Sequence, residues 1–97
     1  MSYSVEVRPL ATLEIIEGYD WYESQRIGLG LEFLEDLEKF YNTLTINPLI
    51  HSYYLENVRQ GMLHKFPYNV VYEVFGDIIV VYSVFMTRRD PKKKSIK

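Results

Sequence analysis

At 97 residues, 47% hydrophobic and 25% charged, the chain suffices for one core-bearing domain and is too apolar for disorder. It has no cysteine, which excludes a disulfide framework and any thiolate nucleophile or metal ligand, and suits a reducing cytoplasm. The net charge of −2 is unevenly spread: residues 1–56 hold ten acids against three bases, and residues 57–97 eight bases against three acids, so an anionic partner would meet one half only.

The opening MSYSVEVR has no apolar run, so no secretory leader is expected. The longest apolar run, IIVVYSVF, is strand-sized and far short of the ~20 residues of a membrane span. Residues 3–8 alternate Tyr3, Val5 and Val7 against polar neighbours and read as a half-buried strand. Pro9 suits the first turn of a helix. Residues 10–46 then read as an antiparallel helical hairpin. In its first arm Ala11, Ile15, Ile16, Tyr19 and Tyr22 form an apolar stripe, with Glu14, Glu17 and Asp20 opposite. Gly28 is placed just past the helix end, where φ is often positive. In the second arm Phe33, Leu34, Leu37, Phe40, Tyr41 and Leu44 share one face, backed by Glu32, Glu35, Asp36, Lys39 and Asn42, and Asn47-Pro48 stops it.

Residues 51–87 read as antiparallel strands: 51–56, 58–66, 68–75 and 78–85, the last two joined through Gly76-Asp77. Those two are apolar on both faces and belong mid-sheet. Residues 88–97 form a basic tail. The order predicts a single α+β domain of two layers: an N-terminal strand, a helical hairpin, then an antiparallel sheet of three or four strands.

Candidates for chemistry are few. His51 and His64 lack metal-ligand spacing, and His64, inside a predicted strand, reads as structural. Gly28-Leu29-Gly30 is too short for a phosphate loop, and no serine or threonine lies in a nucleophile elbow, so neither metal nor cofactor is expected. Arg59 and Lys65 share strand parity, with Gly61 between them permitting a bend. Two readings fit these cations together with Arg88, Arg89 and Tyr53, Tyr54, Tyr68, Tyr72 and Tyr82. Either they line a concave surface for phosphates and bases, or the tyrosines fill the core edge while arginine stems cover it.

WYESQRIGLGLEFLEDLEKF (21–40), INP (46–48), VRQGMLHKFPYNVVYEV (58–74) and IIVVYSVFMTRRDP (78–91) together resemble the RelE/ParE superfamily of bacterial toxins, over nearly the whole chain. The resemblance implies a type II toxin–antitoxin, or plasmid-stabilisation, module: a small toxin neutralised by a cognate antitoxin. RelE-like members cleave mRNA in the ribosomal A site and place an arginine directly after the tyrosine opening the fourth strand. Here that residue is Asn69, Met86 stands where relatives have a histidine, and no tyrosine follows Tyr82. The GLG and FPY…RDP patterns look nearer the ParE-like branch, which poisons DNA gyrase without catalysis. The resemblance therefore implies a gyrase poison, with a ribosome-dependent endoribonuclease, or an inactive toxin-like antitoxin-binding protein, as alternatives. It leaves any catalytic residue unassigned. The target-facing candidates are Arg59, Lys65, Tyr68, Arg88 and Arg89, the last two because the family pattern puts its basic target-facing residue there. For the antitoxin they are Arg88 and Arg89, which its acids would cover, with Leu13 and Trp21, which lie off the apolar stripe beside Glu14 and Glu17 and either join that dock or pack on the second helix or first strand.

Overall fold

The computed structural model describes residues 3–87; the predicted basic tail at 88–97, with Arg88 and Arg89, lies outside the described residues. Seven elements follow in chain order: β1 (Ser4–Val7), α1 (Pro9–Gln25), α2 (Leu29–Ile46), β2 (Tyr53–Leu55), β3 (Val58–Met62), β4 (Tyr68–Phe75) and β5 (Ile78–Met86). The five strands form one sheet in the order β1-β5-β4-β3-β2. The four later strands are antiparallel to their neighbours, whereas β1 runs parallel to β5. Parallel strands need a long crossover, and the helical hairpin provides it. β5 and β4 stand inside the sheet, as their two-faced hydrophobicity requires.

Each boundary has a local cause. Arg8 is extended, as a residue before proline prefers, and Pro9 opens α1. Gly28 takes φ +94°, which L side chains rarely adopt, so the chain reverses within three residues. The reversal is held from α1: the Glu23 carboxylate accepts from the N–H of Gly28 (3.0 Å) and of Gly30 (2.9 Å), satisfying orphan donors at the start of α2. At Gly30 the hairpin arms touch, because a Cβ there would lie 2.7 Å from the Tyr19 ring. Gly30→Ala is therefore expected to cost about 1–3 kcal/mol despite alanine's better helix propensity. A urea midpoint equal to that of the parent would show that Tyr19 swings clear.

The core lies between the hairpin and one sheet face. Val70, Tyr72, Ile79, Val81 and Val84 meet Ala11, Phe33, Leu37 and Leu44 there, with Tyr22, Phe66 and Tyr68 forming an aromatic cluster around Phe33. Tyr72 is fully buried, and its hydroxyl donates to the Pro48 carbonyl at 2.8 Å, pinning the segment after α2.

Four sequence expectations need correction. Glu14, expected on the solvent face, reaches back to β5: its Oε1 accepts from Ser83 Oγ and the Val84 N–H, both at 2.8 Å. Asp36, also expected outside, is 3% exposed, and its Oδ2 accepts from the N–H of Lys65 (2.7 Å) and of Phe66 (3.0 Å). That grip ends β3 at Met62 rather than at residue 66. His64 and Lys65 consequently sit in a loop, and the shared strand parity of Arg59 and Lys65 does not hold.

His51 carries the one histidine effect of note. Its ring stacks on Phe40 (centroids 5.0 Å apart) and meets Tyr72 edge-on. Nε2 is buried without a hydrogen-bond partner among the described residues. Burial lowers its pKa below the ordinary value of 6.5. The folded state thus binds the proton less readily than the unfolded chain, so this contribution is complete above about pH 6.5 and shrinks as pH falls toward the folded pKa. Urea midpoints between about pH 5.5 and 7.5 should fall on acidification, and the slope should flatten in His51→Gln. An unchanged slope would assign the effect elsewhere.

Candidate functional site

β1 pairs only with Ile78–Val81 of β5, because the chain turns into α1 at Pro9. Beyond Val81 that edge of β5 faces α1 instead of a strand. Val71 pairs with Ser83 and Tyr72 with Val81, leaving Tyr82 as the extra residue of a bulge. Tyr82 turns to the outer face, where its hydroxyl donates to Glu73 (2.8 Å). The bulge presents the Val84 N–H to the helix, and Glu14 satisfies it.

Further along lies a cleft of about 450 Å³ between α1 and the end of β5. Its walls include Glu17 and Trp21 on one side and Val84 and Met86 on the other, over Gly18 and Tyr68. Gly18 lets the floor close, since a Cβ there would stand 3.0 Å from both Phe33 and the Tyr68 hydroxyl. Burial first, then the negative potentials of Tyr22 and Glu17, push the Tyr68 phenol up to about 12, so it stays a neutral hydrogen-bonding group. Trp21 is 54% exposed despite an edge contact with Tyr22, and Leu13 on the same helix is 59% exposed. Trp21 beside the cleft, with Leu13 two turns earlier on the same helix, makes this stretch of α1 a candidate docking surface.

A second region lies on the sheet face away from the helices, at the ends of β3, β4 and β5. Asn69 pairs with Met62 and Phe85 in register, and its Nδ2 donates to Gln60 Oε1. Thr87 Oγ1 donates to the Pro67 carbonyl (3.3 Å). Gln60, Met62, Asn69, Phe85 and Thr87 are all neutral. These five side chains offer amide and hydroxyl groups for binding, and among the described residues the hollow beside them adds one titratable group, His51, at its rim.

Among the described residues, those singled out from the sequence do not converge. Arg59 is occupied within its own corner: Nη1 donates to the His51 carbonyl (2.7 Å), Nη2 donates to the Tyr53 hydroxyl (2.8 Å), and the guanidinium lies 4.0 Å above the Tyr53 ring. Lys65 pairs with Glu32 at 3.6 Å beside α2. Tyr68 faces the helices and lines the cleft. The five tyrosines likewise split: Tyr68 and Tyr72 are core, Tyr53 and Tyr54 stand exposed at the β2 edge, and Tyr82 is half-buried on the outer face. Leu13 and Trp21 both stay outside the core. Sequence reasoning set Glu14 and Glu17 beside Leu13 and Trp21 without making them parts of that α1 surface, and missed Gly18. The available signal was that residues 9–25 contain four acids and no base.

No protein-family model and no curated protein matches the sequence. Solved structures do match in fold. A chain of the chromosomal ParDE toxin–antitoxin system from P. aeruginosa superposes with a TM-score of 0.77 at 17% identity, covering 89% of this chain and 97% of that one. The isolated E. coli RelE toxin gives 0.67 at 18% identity, over 97% and 94%. A chain of the intact E. coli RelBE complex gives 0.63 at 20% identity, over 90% and 99%. The chain thus has the RelE/ParE fold, as the sequence resemblance implied.

Proposed function

We propose that the protein is the toxin of a type II toxin–antitoxin module and acts as a non-catalytic poison of DNA gyrase. The shared fold, over nearly the full length of both the ParDE and RelE chains, supports the module. The observation that supports the non-catalytic reading is the run of neutral side chains on the described outer end of β3, β4 and β5, where His51 is the one titratable group lining the adjoining hollow among the described residues. Cleaving RNA through its 2′-hydroxyl needs a base, an acid and cations for the phosphorane charge. That face carries Gln60, Met62, Asn69, Phe85 and Thr87 instead.

A poison needs only tighter binding to the cleaved enzyme–DNA state than to the resealed one, because a ligand shifts an equilibrium by its differential affinity. Arg88 and Arg89, directly after Thr87, are the proposed contacts to the anionic target. Incubation with gyrase, supercoiled plasmid and ATP is expected to accumulate linear plasmid. Growth arrest with no linear plasmid, and with cleaved mRNA on stalled ribosomes, would replace this target with the ribosome and leave the module standing.

A further inference from the structure

We infer that the cleft between α1 and the end of β5 seats an apolar antitoxin segment studded with lysines or arginines, so that this part of the antitoxin is basic; the inference rests on the toxin reading above. The sign follows from the walls. α1 carries Glu14, Glu17, Asp20 and Glu23 with no base, and β5 from Ile78 to Met86 has no charged side chain. Glu14 is committed to Ser83 and Val84, and Glu23 to the start of α2. Glu17 lines the cleft and Asp20 stands exposed beside it on the same helix, with no ion pair to either among the described residues.

Around them Leu10, Leu13 and Trp21 stand 58%, 59% and 54% exposed. Residues 10, 13, 17 and 21 fall on one side of the helix, so the apolar and acidic groups form a single stripe. An amphipathic helix laid along this stripe buries apolar surface against Leu13 and Trp21. Acids on that helix would face Glu17 and Asp20 across a partly dehydrated rim, where like charges are costly. Lysine or arginine would cover the tryptophan with its stem and bring its charge to the carboxylates. An antitoxin meeting both this stripe and the arginines after Thr87 must therefore be bipolar, basic over α1 and acidic over Arg88 and Arg89.

Trp21 is the sole tryptophan, so its emission reports the cleft directly. The probes are two synthetic helices of about 14 residues, four turns long, sharing one leucine stripe and flanked by lysine in one and glutamate in the other. The full chain is expected to bind the lysine peptide with a saturable blue shift, at least tenfold tighter than the glutamate peptide. Glu17→Gln should weaken the lysine peptide about threefold while leaving the thermal midpoint unchanged. Equal binding of the two peptides, or preference for glutamate, would overturn the inference. A tenfold gain for the lysine peptide on changing Arg88, Arg89 and Lys92–94 together to glutamine would also overturn it, assigning the cleft to the chain's own tail. Absence of growth arrest in cells would instead sink the toxin reading and leave the peptide result untouched.

Discussion

Asp36→Ala is expected to lower the unfolding free energy by about 3 kcal/mol, a large share of the ~5–15 kcal/mol that holds a domain of this size. The carboxylate is 3% exposed and accepts two backbone N–H groups, those of Lys65 and Phe66. Alanine leaves the Phe66 donor buried with nothing to accept it, and each such loss costs about 1–3 kcal/mol. The damage extends past the two bonds. Phe66 meets Tyr22 at 4.7 Å and Phe33 at 5.6 Å between ring centroids, so a loosened loop also loosens the aromatic cluster. Asp36→Asn keeps one acceptor oxygen and gives up the charge assistance, and should cost about half as much. Urea unfolding of the three proteins tests this, and an alanine variant within about 0.5 kcal/mol of the parent would sink it.

Asp36 also shows where sequence reading stopped. The helical hairpin, its Gly28 turn, the Gly76-Asp77 link and the two inner strands were legible because each depends on periodicity or on one residue's backbone freedom. Phe33, Leu37, Phe40 and Leu44 repeat at helical spacing and are buried as that spacing implies. Gly76 takes φ +60° between Phe75 and Ile78, which pair across the turn. Glu14 and Asp36 were misread for one shared reason. An acid opposite an apolar stripe reads as solvated, unless the fold brings an orphan N–H to it. The orphans here arise from a bulge at Tyr82 and from a loop between β3 and β4, and neither leaves a mark on hydrophobic period. The parallel placement of β1 beside β5 is a property of the whole topology in the same way. The candidate site was half legible: Leu13 and Trp21 stood off the stripe, but their acidic neighbours acquire meaning only once β5 is seen to end beside them.

Two variants should separate the functions proposed for the two surfaces, with opposite phenotypes. Trp21→Ala removes a large exposed side chain whose loss leaves the core intact, because the residue is 54% exposed and touches Tyr22 only at its edge. At the centre of an interface, truncating a tryptophan commonly costs 2 kcal/mol or more, so the antitoxin should bind roughly thirtyfold more weakly. Cells producing both proteins should then arrest growth where the parent pair does not. Arg88→Ala with Arg89→Ala should do the reverse, folding normally and abolishing the accumulation of linear plasmid. The comparison is informative because the antitoxin is expected to touch both regions, whereas the proposed target, gyrase, is expected to touch only the second. The double variant should lose some antitoxin affinity, and that loss should grow as salt is lowered, since it removes charge without removing apolar area. The Trp21 loss should be nearly independent of salt. Equal salt dependence for the two would mean that one continuous contact spans both regions, and the division between a docking cleft and a target-facing terminus would have to be withdrawn.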